Sequence, residues 1–411
     1  NTVNFDKSMK YNPLAYVEKE EDILKLVETI IANTSGNNNQ NEDFWVKAEK
    51  LLYQSYLSLI INKFPKEEQH LGTLIDLISY STVKEDDENY KNAVDYLFDE
   101  LEKENSESFA VKQYKAYKLA AGKTAKSILI SCATRLAPLN IPAVRNLLKE
   151  DQLNLRTLGD KGRKTALFVI VPDTDATFNF IVSIMYSQLF NMLCTIADEK
   201  YRGELPTHVR FLLDEFANVG LIPNFEKLIA TIRSRNISAT IILQTASQLK
   251  AIYKDNADTI IGNCDTSVFL GGKEKSTVKA LSEELGKETI NDYNESRTRS
   301  NNDSFGQNYS KLSRSLMTED ELQTMPRDTC IVQIIGKRPF KDKKYDLTKH
   351  PRYKYHSNGS KYWFDIGKYL DAIRKESTPR DTSDTRDSSD TMHTKHTLKL
   401  SATTISGDLE L

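Results

Sequence analysis

Apolar positions recur at helical spacing through the first third of the chain, then give way to short unbroken apolar runs. Trp45, Ala48, Leu51, Leu52, Tyr56, Leu59 and Ile60 follow the helical period, as do Leu71, Leu74, Ile75, Leu77 and Ile78. A short extended piece, Asn12–Val17, precedes an amphipathic helix predicted over Glu20–Ala32, and a further long helix is predicted over Lys112–Leu136. Asn33–Asn41 reads as a polar loop and Glu85–Glu88 as a solvated acidic turn. No strand pattern occurs between residues 44 and 150, so that stretch is predicted to be an all-α domain.

The texture changes at Lys164. Thr165–Val171 is a continuous apolar run that stops at Pro172-Asp173, as a parallel strand covered on both faces does. A helix over Thr177–Glu199 follows. Then come strand Val209–Leu213, helix Pro223–Arg235, strand Ile237–Leu243, helix Ala246–Tyr253 and strand Thr266–Leu270. Such alternation predicts a parallel sheet with right-handed crossovers, and such sheets bind ligands at the carboxyl ends of their strands. Asp173, Asp214, Glu215, Gln244 and Gly271-Gly272 all fall at those ends. Asn291–Ser313 is polar and reads as a mobile loop, and Thr329–Ile335 as one more strand. Glu376–Leu411, rich in Ser, Thr and Asp, is expected to be disordered.

Composition narrows the class. A chain of 411 residues exceeds one ordinary core. The formal net charge of -2 gives no global field for nucleic acid. Cys132, Cys194, Cys264 and Cys330 form no C-x-x-C pair and read as small buried hydrophobes, which argues against a zinc or redox motif. The most apolar stretch, Phe178–Leu193, is interrupted by Asn179, Ser183, Ser187, Gln188 and Asn191 and reads as a packed helix. No signal peptide is visible. The first residue is Asn rather than Met, so a preceding segment is expected.

Val209–Glu215, V-R-F-L-L-D-E, carries the chemistry. A strand ending in adjacent carboxylates suits Mg²⁺ binding (Asp214) and activation of a water (Glu215). Gln244, ending the neighbouring strand, is placed to sense a γ-phosphate. Arg233 or Arg235 can act as an arginine finger across a subunit boundary. Each has a plainer structural explanation: an apolar run before Asp-Glu is common, a lone Gln often closes a strand, and helix arginines often only face water. Gly122-Lys123-Thr124 ends like a phosphate loop, but G-x-x-x-x-G-K-[ST] requires Gly where Tyr117 stands, and no strand precedes it.

With these residues in view, the chain resembles the coupling proteins of conjugative type IV secretion systems, the TraG/TraD group. Leu212–Lys227, Ile229–Gln244 and Ile260–Gly272 carry the resemblance, which extends from the first residues to about Leu370. It implies a RecA-like P-loop NTPase motor domain with an inserted all-α domain, in which Asp214 and Glu215 are the Walker B pair, Gln244 the motif III glutamine and Arg233 the inter-subunit arginine. The division it implies is residues 1–43 opening the retained part of the motor domain, 44–150 the all-α insert linked to substrate recognition, 151–370 the α/β motor and 371–411 the tail. Also implied are ATP and Mg²⁺ as cofactors, a homo-hexamer, and a membrane anchor at the cytoplasmic face of the bacterial plasma membrane. Single-stranded DNA, a relaxase and the type IV secretion channel would be the partners. Family members begin with transmembrane helices and then the Walker A loop, and this chain contains neither. By itself it is therefore expected to bind ATP poorly, not to hydrolyse it, and to be soluble in the cytoplasm.

Two stretches suit a DNA surface. Lys337–His356 interleaves lysines, including Lys343 and Lys344, with Phe340, Tyr345, Tyr353 and Tyr355, as single-strand grooves do; a solvated strand edge fits equally well. Gly271-Gly272-Lys273 is the rival, with Lys273 and Lys275 as phosphate contacts. A non-catalytic adaptor that docks relaxase or another secreted substrate is the alternative function. A double-strand DNA pump fits less well, given the long helical insertion.

Overall fold

The computed structural model describes residues 1–34, 44–84, 87, 90–120, 122–298, 304–356 and 365–377. The chain divides into two compact units, Asn1–Trp363 and Phe364–Leu411.

Helix α1 (Glu20–Thr34) buries Ile23, Leu26, Val27, Ile30 and Ile31, one stripe at i, i+3, i+4 and i+7. The helical block continues with α2 (Phe44–Lys63), α3 (Leu71–Tyr80), α4 (Ala93–Glu104), α5 (Phe109–Lys118), α6 (Gly122–Arg135) and α7 (Pro142–Leu147). The single helix expected over Lys112–Leu136 is two. Gly122 adopts φ +53, a left-handed conformation that breaks the helical run and costs glycine little. A buried ion pair joins α2 to α6: Glu49, 1% exposed, accepts from Arg135 Nε and Nη2 at 2.8 Å each. The Ser131 hydroxyl also donates to Glu49. The loop expected at Asn33–Asn41 begins two residues earlier than α1 allows, since α1 runs to Thr34; residues 35–41 lie outside the described residues. So does most of the acidic turn at 85–88.

The second half opens with α8 (Asn179–Lys200), β1 (Val209–Leu213), α9 (Phe225–Thr231), β2 (Ile237–Ile241), α10 (Ala246–Tyr253), α11 (Asn256–Gly262) and β3 (Thr266–Phe269). It continues with α12 (Lys275–Leu285), β4 (Lys287–Thr298), β5 (Ser304–Ser315), α13 (Glu319–Gln323), β6 (Thr329–Ile334) and β7 (Phe340–Lys343). Helix α8 is long and apolar enough to cross a membrane by length and composition, yet 67% of its apolar window is buried in the protein. The packed helix expected over Phe178–Leu193 is this element.

β1 and β2 pair in parallel, from Val209↔Ile237 to Leu213↔Ile241. β3 pairs antiparallel with β6, and β6 antiparallel with β7. The single parallel sheet expected from the sequence is thus divided, and β2 and β3 share no ladder. Nor is Thr165–Val171 a strand. Leu167, Val169 and Val171 pack on the core, but Phe168 is 82% exposed. An apolar run therefore did not mean cover on both faces. The polar stretch Asn291–Ser313, expected as a mobile loop, forms most of a long antiparallel hairpin, β4–β5, from Lys287↔Ser315 to Thr298↔Ser304. A ladder satisfies its backbone without needing an apolar face, which is why composition alone pointed to a loop.

One core runs from the helical block into the β1–β2 pair. Phe211 lies on the inner face of β1 and stacks on Phe190 of α8 at 4.0 Å. Its neighbour Leu212, on the outer face, is 66% exposed. The β3–β6–β7 sheet is likewise one-sided. Phe269 and Ile331 pack on Val278, Leu281 and Leu322, whereas Val268, Leu270 and Phe340 face solvent. The second unit contributes helix α14 (Ile366–Ser377). Residues 371–377, assigned to the tail by sequence, are therefore helical, and 378–411 lie outside the described residues.

Candidate active site

Beyond the last rung of the β1–β2 ladder the chains stay paired: Ile242 N donates to Leu213 O at 3.0 Å and Phe216 N to Ile242 O at 3.1 Å. This brings Asp214-Glu215 beside the segment that ends in Gln244. The Gln244 side-chain amide donates to both carboxylate oxygens of Glu215, at 3.1 Å each. The acid and the glutamine thus share one rim, on hydrogen-bonded neighbouring strands. Asp214 is exposed, and among the described residues it has no hydrogen-bond or ionic partner.

Buried anchors hold this rim. Glu215 adopts φ +49, the left-handed region that a side-chain-bearing residue enters only at a cost of about 1–2 kcal/mol. It is kept there because Phe216, the next residue, is fully buried against Phe225 and Tyr253. Five residues beyond Phe216, Asn33 of α1 clasps Leu221 from both sides, its Oδ1 accepting from Leu221 N at 2.7 Å and its Nδ2 donating to Leu221 O at 2.8 Å. Ser183 of α8 donates to Val219 O at 2.7 Å. Gly220 passes this clasp with φ +87, where a Cβ would lie 2.5 Å from Asn33 Oδ1. The glutamine side is held by a capping box, Thr245 with Gln248, and Gln248 Oε1 also accepts from Gln244 N at 3.0 Å. Gln248 was not singled out from the sequence, although T-x-x-Q before a helix is a legible signal.

Arg233 is not part of this cluster. It lies in a 3-10 turn, Ile232–Arg235, ahead of β2, at the opposite end of the strand from Gln244. Ile237 to Gln244 at about 3.3 Å per residue puts some 20 Å of strand between them, beyond the reach of one arginine. Arg233 is exposed and has no carboxylate partner among the described residues. Arg235 is engaged: it pairs with Asp198 through Nε at 3.2 Å and Nη2 at 2.9 Å, which raises its pKa.

The third strand end is tied to the same rim. Ala246 N, two residues beyond Gln244, donates to Thr277 Oγ1 of α12 at 3.1 Å. Thr277 in turn donates to Glu274, the N-cap of α12, at 2.6 Å. Hydroxyls of Thr277 and Ser276 hold the Glu274 carboxyl at about 2. Lys273 precedes this cap in an exposed loop. Lys343 is exposed at the end of β7, but Lys344 is committed, its ammonium donating to Leu270 O at 2.6 Å.

Among the described residues no cluster of three or more His, Cys, Asp or Glu side chains converges as a metal cage. The fit is instead to a hard cation taking one carboxylate, with water and ligand oxygens completing its shell, which is how Mg²⁺ is usually held.

The fold is similar to that of solved bacterial conjugative coupling proteins. The plasmid coupling protein TrwB in complex with the GTP analogue GDPNP superposes with a TM-score of 0.58 at 13% identity, over 84% of this chain and 74% of that one. TrwB in complex with ADP and Mg²⁺ gives 0.57 at 16%, over 84% and 73%. Such identities speak for the fold. The sequence goes further: residues 1–363 match the family described as type IV secretory system conjugative DNA transfer, and the chain belongs to it. Protein VirD4 of Rhizobium radiobacter and of Agrobacterium fabrum are each 24% identical over 184 residues, 44% of this chain. The match spans about a quarter of those relatives, 26% and 27% of their lengths.

Proposed function

We propose that this chain is the carboxylate-bearing part of an ATP-driven RecA-like motor that recruits a relaxase–DNA complex and moves single-stranded DNA through a type IV secretion channel. The Gln244 amide on the Glu215 carboxylate, beside an Asp214 with no partner among the described residues, is the observation that carries it. Asp214 would hold Mg²⁺ within a shell of water and phosphate oxygens. Bound MgATP supplies the transferable phosphoryl group and neutralises its charge. Glu215 orients and polarises the attacking water, and Gln244 fixes the plane of that carboxylate. Arg233, at the far end of β2, serves a neighbouring subunit of a hexamer rather than its own site.

The 411 residues contain no G-x-x-x-x-G-K-[ST]. A motor of the kind proposed also needs a cradle for the phosphates. The outer edge of β2 pairs with nothing among the described residues, and the outer faces of both sheets are open. Unpaired edges and bare apolar faces are what natural sheets avoid. Here they leave room for a strand and helices carrying that cradle.

The test is to express the chain together with the preceding residues of its gene and measure ATP turnover. Glu215→Gln should lower turnover by about 10²–10⁴-fold, the usual contribution of a positioned base, with nucleotide binding kept. Turnover indifferent to that change removes Glu215 from its role. A protein that captures relaxase but never turns over ATP is the non-catalytic adaptor.

A further inference from the structure

The basic–aromatic segment after β6 is distinct from the acid–amide rim, and the fold joins it to the glycine loop after β3. Lys337–His356 holds eight lysines and arginines against two aspartates, in a chain whose net charge is -2. Lys337, Arg338, Lys341 and Lys343 have no carboxylate partner among the described residues. β7 is an edge strand, with Phe340–Lys343 all exposed. Past it the chain folds back on itself. Tyr345 meets His350 edge-on at 6.4 Å, Tyr353 N donates to His350 O at 2.9 Å, and the Tyr353 ring stacks on His356 at 5.8 Å. Tyr345 stays 63% exposed, in water that an aromatic side chain ordinarily avoids.

Lys344 supplies the connection. Its ammonium on Leu270 O holds the Gly271–Lys273 loop against the start of this segment. Gly271 takes φ +104 with open space around it, so the loop offers bare backbone. The two stretches that competed as DNA surfaces in the sequence are neighbours.

We propose that they form one surface for single-stranded DNA, in which Lys273, Lys341, Lys343 and Arg352 contact phosphates while Tyr345 and Tyr353 stack on bases. This rests on the DNA-transfer reading above and adds the place of contact. An extended edge and short 3-10 turns present rings for stacking. They offer no helix to enter a duplex major groove and no amphipathic helix to lie on a membrane. The loop is also tied to the rim, because Thr277, in the first turn of α12 capped by Glu274, accepts from Ala246, two residues beyond Gln244. Strand contact and the acid–amide pair are therefore separated by one short, hydrogen-bonded path.

The experiment is fluorescence anisotropy of a dye-labelled oligothymidine of about 16 nucleotides against the 411-residue chain, titrated with salt and without nucleotide. Lys341→Ala/Lys343→Ala should reduce the salt slope by about 1.4, near 0.7 per lost phosphate contact on a single strand. Tyr345→Ala and Tyr353→Ala should each weaken binding roughly 5- to 150-fold, and Tyr→Phe at either position should restore it. Lys161→Ala/Lys164→Ala, which removes equal charge elsewhere, should leave the slope unchanged. An equal fall in both lysine pairs overturns the proposal. So does equal affinity for a duplex of the same length, or binding to phosphatidylserine vesicles in place of the oligonucleotide. Because no nucleotide is present, failure here leaves the Glu215 test standing, and failure there leaves this surface standing.

Discussion

Phe211 and Leu212 are consecutive residues on β1, and their opposite surroundings give a sharp test of the one-sided sheet. Phe211 is 6% exposed and stacked on Phe190, so Phe211→Ala removes a ring from a filled core and should cost about 3–5 kcal/mol. Leu212 points into solvent, so Leu212→Thr, which keeps a strand-forming side chain, should stay within about 0.5 kcal/mol. Urea denaturation followed by circular dichroism reads both. With an m-value near ~3 kcal/mol/M, the first change lowers the midpoint by about 1–1.7 M and the second by less than ~0.2 M. A strand covered on both faces would make both changes expensive. A Leu212→Thr loss approaching that of Phe211→Ala would refute the open face and mean that something covers it in solution. Repeating the pair in a longer product of the same gene extends the test: if added residues pack there, Leu212→Thr becomes costly while Phe211→Ala is unchanged.

Arg233→Ala, in an assembled full-length protein, should suppress ATP hydrolysis while leaving nucleotide affinity nearly intact; equal loss of both, in filter binding and steady-state turnover, would make Arg233 structural. Arg135→Met should cost about 3–5 kcal/mol by leaving Glu49 charged and unpaired in the helical core, and adding Glu49→Met should recover most of it, read as the thermal midpoint of each variant. Glu274 is depressed from the usual 4.5 to about 2 by the hydroxyls it caps. Its stabilisation of the first turn of α12 is therefore complete above pH 4.5 and is lost as pH falls towards 2. Amide protection at Ser276 and Thr277, taken relative to intrinsic exchange, should fall across that window, and Glu274→Gln should abolish the pH step.

Much of the helical block was legible because periodicity reports burial directly. The stripe in α1 and the run from Ala48 to Ile60 became buried helix faces, although Trp45 is left 39% exposed. The carboxylates and Gln244 were legible for a different reason: a short apolar run has to end at a sheet rim, and polar residues there have few other places to go. The break at Gly122 was missed because apolar spacing continues across it. Thr165–Val171 misled because hydrophobicity states what a segment would bury if a partner were present, not whether one is. The β4–β5 hairpin misled in the opposite sense, since backbone pairing needs no apolar residue. Arg233 shows the limit of proximity in sequence: 18 residues from Glu215, it faces the other end of the sheet.

Glu215 makes the case for a preformed site. A non-glycine residue at φ +49 is strained, and such strain persists only where the surroundings over-determine it. They do so here on three sides: Phe216 is sunk in an aromatic cluster, Asn33 and Ser183 grip the turn behind it, and Gln244 holds the carboxylate in front. The side chain is thus aimed by protein contacts, and each Glu215 oxygen keeps a second lone pair to accept from a water. On the proposed reading, such a site would need little rearrangement when a phosphate cradle is supplied, since the carboxylate and its amide partner are set by the core beneath them. Replacing Asn33 by Ala would loosen the turn without touching the rim. If preorganisation from below is what aims Glu215, turnover in the complemented protein should fall while ATP affinity holds.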